Sequence, residues 1–281
     1  MRSFKQTGNQ NPHKSMDHSS TTISTPLLTI AVIAKNEADR IGRLLAGASI
    51  ADEVVVVDSG STDGTQEICR AAGALVIHRE WGGYAAQKQA AMESATGEWI
   101  LSLDADEALS PELSHELIKA VRCATPDIAG FSIPRLSRYL NRWIRHGGWY
   151  PDRKVRLVRR GTGEWVGDGI HERLEVRGRV ESLVNPILHY VYRDISDQIA
   201  TIDKFSSVHA AHTTSPGSGF DVLVGMVHAI GKFLECAIWK LGVLDGLPGM
   251  VIAVNSSFYV FLKHAKSWER GLAHSEGDGK V

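Results

Sequence analysis

Two stretches decide the fold: Val54-Val55-Val56-Val57-Asp58-Ser59-Gly60 and Trp99-Ile100-Leu101-Ser102-Leu103-Asp104-Ala105-Asp106-Glu107. Each is an apolar run with little polar alternation that ends in acid. Such runs are strands buried on both faces, the habit of a parallel α/β sheet. Ligands of these sheets sit beyond the carboxyl ends of the strands, so acids placed there point into a binding crevice. Asp104 and Asp106 are two residues apart, and in extended chain both face one side. Converging carboxylates, together with a phosphate-bearing substrate, meet the needs of a hard divalent cation. The pattern points to a metal-assisted enzyme acting on a phosphorylated donor.

Outward from these runs the order is βα repeated. Leu28–Ala34 reads as a strand, and Asn36 starts a helix whose Ile41, Leu44, Leu45 and Ala48 recur at helical spacing. Thr65 caps a helix ending near Gly73, residues 74–77 form a third strand, and a helix over 84–96 stops at Gly97. Ser110-Pro111-Glu112 joins an N-cap, a first-turn proline and an early acid. This order implies parallel strands with right-handed crossovers. The turn Ala34-Lys35-Asn36-Glu37 lacks Gly-x-Gly-x-x-Gly, which disfavours a dinucleotide-dependent oxidoreductase. Beyond Thr125, residues 128–133 and 155–158 read as strands around a segment rich in Arg, Trp and Tyr.

With 31 basic and 32 acidic residues, the overall charge gives no sign of a nucleic-acid binder. Cys69, Cys123 and Cys236 are far apart and lack metal-ligand spacing, as expected in a reducing compartment without a disulfide framework. Residues 1–26 read as a disordered tail, and 216–219 as a linker. Beyond it, Leu223, Met226, Val227, Ile230, Phe233, Leu234, Ala237, Ile238 and Leu241 form an apolar stripe, and residues 247–262 a second apolar stretch. Lys263, Lys266, Trp268 and Arg270 follow. Neither stretch reads as a clean membrane span. A helical pair packed on the core and contact with a membrane suit the pattern equally, and for the second an interfacial pair carrying basic and aromatic anchors fits better than a span.

Ile33-Ala34-Lys35-Asn36-Glu37, Val57-Asp58-Ser59-Gly60-Ser61-Thr62-Asp63-Gly64-Thr65 and Leu103-Asp104-Ala105-Asp106-Glu107 resemble the signature of family-2 glycosyltransferases. The segments Gly148-Trp149-Tyr150-Pro151-Asp152-Arg153, Val155-Arg156-Leu157, Ile170-His171-Glu172 and Leu244-Asp245-Gly246 with Gly249 resemble the branch of bacterial lipopolysaccharide inner-core β-glucosyltransferases. The resemblance spans roughly residues 27–268. It implies an α/β, GT-A fold with a mainly parallel central sheet and a C-terminal amphipathic helical extension. Residues 27–125 would be the nucleotide-sugar half, 126–215 the acceptor half, 216–270 the amphipathic helical, membrane-associating region, and 271–281 a flexible tail.

The resemblance also implies roles. Asp58 would hydrogen-bond uracil, Glu37 would lie near the nucleoside, and Asp104 would face ribose or metal. Asp106 would coordinate Mg²⁺ or Mn²⁺ on the donor diphosphate, and Lys88 would approach the donor unless it is an exposed helix lysine. An inverting displacement needs one general base near the acceptor. Glu172 is the first candidate and Asp168 the second, against a reading in which both are surface acids. The interval 135–160 holds nine cations and one acid, with Tyr139, Trp143, Trp149 and Tyr150 interleaved. Nucleic acid, a phosphorylated saccharide and a solvated strand face all suit such a mixture. The upstream acids favour the donor diphosphate and an anionic acceptor, with Arg153 and Arg156 on the donor, and no nucleic acid.

The resulting expectation is a metal-dependent enzyme moving a hexose, from UDP-glucose, to a membrane-borne acceptor such as the lipopolysaccharide inner core. It would sit in the cytoplasm, peripheral on the inner face of the cytoplasmic membrane. Alternatives are another UDP-sugar with a lipid-linked or capsule glycan, and a non-catalytic nucleotide-sugar-binding protein.

Overall fold

The computed structural model describes Met1 and residues 27–167, 172–213 and 217–278, with side chains described as far as Leu272. The first half runs β1 (Leu28–Ala34), α1 (Ile41–Gly47), β2 (Glu53–Asp58), α2 (Thr65–Ala71), β3 (Leu75–His78), α3 (Tyr84–Glu93) and β4 (Trp99–Asp104). Its strands pair in parallel in the order β3-β2-β1-β4. The apolar runs lack alternation because both faces are covered. Ile30, Val32, Leu101 and Leu103 face one core with Ile41 and Leu44 of α1. Ala31, Val57 and Ile100 face a second core with Ala90 and Ala91 of α3.

The second half adds β5 (Glu107–Leu109), α4 (Pro111–Cys123), β6 (Ile128–Tyr139), β7 (Arg142–Trp143), β8 (Asp152–Arg159), β9 (Gly163–Val166), β10 (Arg173–Val176), β11 (Arg179–Ser182) and β12 (Ile187–His189). The main sheet continues β4-β8-β6-β12-β5. Here β8 runs antiparallel to both β4 and β6, and β5 antiparallel to β12. Parallel pairing thus dominates the first half, and the second half is mixed.

Local details differ from the sequence expectations. Asn36 does not start a helix: its φ is 56°, and its side-chain oxygen accepts from the Thr62 amide at 2.9 Å. The helix begins five residues later, at Ile41. Thr65 is the first residue of α2, not its cap; Asp63 accepts from the Thr65 amide at 3.1 Å. Ser110 does cap α4, accepting from the Leu113 amide at 3.1 Å. Ser110→Ala is therefore expected to cost about 1 kcal/mol, read as a lower midpoint in urea at unchanged slope.

The C-terminal layer is α5 (Ile195–His212), α6 (Gly219–Leu234) and α7 (Gly246–Asp278). A π-helical turn (Glu235–Trp239) and a 3-10 turn (Gly242–Asp245) join the last two. The second apolar stretch is thus part of one long helix, with Pro248 in its first turn. By length and composition alone, Gly219–Trp239 and Gly242–Leu272 are each sufficient to cross a membrane. Buried Gly225 and Ala229 bring α6 close to α7, and a Cβ on Gly225 would lie 2.6 Å from that of His264. Most of the apolar stripe seen in the sequence is exposed, while Ala237 is buried.

The motif Leu244-Asp245-Gly246 with Gly249 is a clamp. Buried Asp245 accepts from the amides of Arg145 and His146 at 3.0 and 2.7 Å and pairs with the His146 ring at 3.0 Å. Gly249 lies against the backbone of Gly242, where a Cβ would overlap the carbonyl oxygen. Gly249→Ala should therefore cost about 1–3 kcal/mol by overpacking, seen as a lower thermal midpoint of the full chain.

Candidate active site

The register aligns the ends of β2, β1 and β4: Asp58 pairs with Ala34, and Asp104 with the preceding Ile33. Beyond these ends opens a cleft of about 470 Å³. Glu37, Lys88, Asp104, Asp106 and Glu172 all line it. Its opposite wall is the segment 191–193 with Asp197, Thr201, Lys204 and Phe205 of α5. Sequence reasoning also missed Arg40, Trp81, Tyr84 and His189 in this lining.

Lys88 is not an exposed helix lysine. Its side chain is 3% exposed, and its Nζ reaches Asp104 Oδ1 at 2.8 Å and Glu172 Oε1 at 3.1 Å. Trp165 lies beneath it, with the ring centroid at 4.8 Å. The other Asp104 oxygen accepts from Arg156 Nη2 at 2.8 Å, and the same nitrogen reaches Glu107 at 3.3 Å. Burial would raise the Asp104 pKa, but Lys88 and Arg156 more than offset it and hold the carboxyl well below the usual range. For Arg156, burial is outweighed by Glu107 and Asp104, which keep the guanidinium charged.

Asp106 sits in the turn between β4 and β5. Its Oδ2 lies 3.7 Å from Arg40 Nη1 and 3.5 Å from His189 Nε2. His189 is oriented by Ser137, whose hydroxyl lies 3.1 Å from Nδ1. Glu37 accepts two hydrogen bonds from Arg40, at 2.7 and 2.8 Å, and Arg193 approaches to 3.6 Å. Burial nevertheless pushes the Glu37 pKa up. Tyr84 is shifted upward as well, by burial and then by the surrounding carboxylates, Glu172 first.

Three expected residues stand elsewhere. Asp58 is fully buried and does not line the cleft; neighbouring Ser59 does. Its carboxylate accepts from the amides of Gly60 and Ser61 at 3.0 and 2.9 Å, from Gln66 at 2.7 Å and from the Ser61 hydroxyl. Those bonds hold the turn whose Gly60 has φ 86°. Arg153 donates to the Leu183 carbonyl at 2.9 Å and is absent from the cleft wall. Arg156 lies behind Asp104, not in the lining. Asp168 and His171 lie outside the described residues. Much of the aromatic content of 135–160 is packing: Tyr139, Trp149 and Tyr192 cluster with centroids 5.9–6.3 Å apart.

Among the described residues no three His, Cys, Asp or Glu side chains form a ready cage for a metal ion. Both Asp104 oxygens are occupied by cations, while Asp106 and His189 offer an oxygen and a nitrogen side by side. A cation that keeps several waters and arrives on a diphosphate needs only one or two protein donors. The donor set fits that kind of ion.

The family model for glycosyl transferase family 2 matches residues 29–173. The lipopolysaccharide core biosynthesis glycosyltransferase LpsC of Rhizobium meliloti (strain 1021) is 28% identical over 254 residues, covering 86% of this chain and 92% of its own. An uncharacterized glycosyltransferase of Rickettsia felis (strain ATCC VR-1525 / URRWXCal2) is 49% identical over 250 residues, covering 84% and 87%. Among solved structures, the mannosyltransferase PcManGT from Pyrobaculum calidifontis, in complex with GDP-Man and Mn²⁺, aligns over 92% of this chain and 77% of its own. Its identity is 18% and its TM-score 0.46.

Proposed function

Because the chain belongs to glycosyl transferase family 2, has the GT-A fold and is a glycosyltransferase, we propose that it moves a hexose from a nucleotide sugar, UDP-glucose foremost, to a membrane-borne saccharide. The lipopolysaccharide inner core is the acceptor that the likeness to LpsC favours. The observation that carries this reading is the gathering of Glu37, Lys88, Asp104, Asp106 and Glu172 around one cleft at the strand ends.

In this reading residues 27–125 hold the donor and 126–215 the acceptor, with the enzyme in the cytoplasm, peripheral on the inner membrane face. Asp106, with His189 beside it, would hold a Mg²⁺ or Mn²⁺. Bound there, that ion supplies a Lewis acid for the charge developing on the departing nucleoside diphosphate. Arg40 and Arg193 add positive charge to the same rim, and Glu37 orients both. Asp58 contributes indirectly, by shaping the Gly60-Ser61 turn next to the donor wall. Glu172 takes the proton of the attacking hydroxyl, since an inverting displacement needs one base on the acceptor side. Lys88 fixes that carboxylate relative to Asp104.

The test is a panel of nucleotide sugars read by nucleotide release, with Mn²⁺, with Mg²⁺ and with chelator. Metal-dependent release from UDP-hexoses, UDP-glucose strongest, is the expected result. Undiminished release in chelator overturns the metal assignment, and no release from any nucleotide sugar with metal and glycan acceptor overturns the reading.

A further inference from the structure

Helix α6 carries two apolar faces, and only one has a partner among the described residues. Gly225 and Ala229, followed by Cys236, are buried towards α7. A second row, spaced three and four apart, runs Phe220, Leu223, Val227, Ile230, Leu234 and Ile238, and all six are exposed, Val227 to 67%. A soluble helix needs one apolar stripe; a second marks contact with a partner or lipid. The row covers roughly 27 Å at 1.5 Å per residue. It continues onto the connecting turn, where Trp239 is 87% exposed, and onto the start of α7, where Leu247 is 82% exposed.

The charges around that turn narrow the partner. Lys232, Lys240 and Arg142 border it; of the two carboxylates there, Glu235 pairs with both lysines and Asp245 is buried against the Arg145 and His146 amides. A net positive rim beside an apolar strip with an exposed tryptophan matches an anionic headgroup layer over acyl chains.

The mode of contact follows from α7. Its Asn255 donates to Gln198 of α5, Lys266 holds Asp203, and Arg270 reaches the Ala210 carbonyl. Crossing a bilayer would strip α7 from α5 and place those polar groups in hydrocarbon, where each unpaired group costs several kcal/mol. Length and composition alone would allow two spans; these contacts oppose them.

We propose that the chain docks on one leaflet of an anionic bilayer through the outer face of α6 and the α6–α7 turn, lying in the interface and spanning nothing. This deepens the membrane-surface reading above and does not depend on which sugar is transferred. The test is flotation of the full chain with phosphatidylcholine–phosphatidylglycerol vesicles and with phosphatidylcholine alone. Wild type should float with the mixed vesicles and bind pure phosphatidylcholine several-fold more weakly. Val227→Glu and Ile230→Glu should each weaken flotation at least tenfold, while melting and donor hydrolysis stay unchanged. Alkaline carbonate should release the bound protein. Failure to float, flotation unaltered in both variants, or resistance to carbonate would each overturn the proposal. So would a wild-type dimer that the glutamates dissociate, since a second copy would then cover the face. Donor hydrolysis by the non-floating variants keeps this outcome separate from the fate of the glycosyl-transfer reading.

Discussion

Asp106→Ala should lower nucleotide release from the preferred donor by roughly 10²–10³-fold, the scale on which losing one stabiliser of transition-state charge is felt. Asp106 is the cleft carboxylate least committed to the protein. Its nearest side-chain nitrogens, those of His189 and Arg40, stand 3.5 and 3.7 Å away, whereas Asp104 is gripped at 2.8 Å on both oxygens. The variant should therefore melt close to wild type, and the loss should appear in turnover and in metal-dependent nucleotide binding. Asp106→Asn should fall almost as far, because an amide keeps the shape and loses the charge. Normal metal-dependent turnover in Asp106→Ala would remove this residue from the site.

Lys88→Met has the largest expected effect on stability. Removing one member of a buried ionic cluster leaves its partners without compensation, at about 3–5 kcal/mol. Here Glu172 loses its lysine, and Asp104 keeps Arg156 alone. Denaturation in urea would measure the loss, and Lys88→Arg should lose less. The sign of the acid response is also fixed. The Asp104 pKa is held below its unfolded value, so its contribution is complete above an unfolded value of about 3.9 and fades as pH falls towards the native one. Lys88→Met should flatten that acid-side decline, which a scan of urea midpoints against pH would reveal.

The parallel half of the fold was legible because its strands are buried on both faces, and Val54 to Val57 can be little else. The ends of elements were less so. Asn36 adopts a left-handed conformation to serve the Thr62 amide, and nothing in a periodic apolar pattern signals that. Residues aligned by strand register, Asp104 among them, could be placed from sequence. His189 and the α5 wall could not, because long-range pairing of β12 with β6 and β5 brings them to the cleft. Arg153 shows the converse limit: a cation within an arginine-rich interval has no assigned direction until its strand is paired. The stripe in α6 was visible, but its separation into a face for α7 and a bare face required the hairpin.

Helix α5 has two sides with different duties. Thr201, Lys204 and Phe205 border the cleft, while buried Gln198 bonds both Tyr139 of the sheet and Asn255 of α7. The appendage is therefore a buttress for the cavity as well as an outer layer. Trimming the chain after Thr213 to obtain a more tractable protein would uncover Ile202, Ser206 and Ala210 and loosen that wall. An inactive short form would then report a collapsed scaffold and would carry no information about the chemistry.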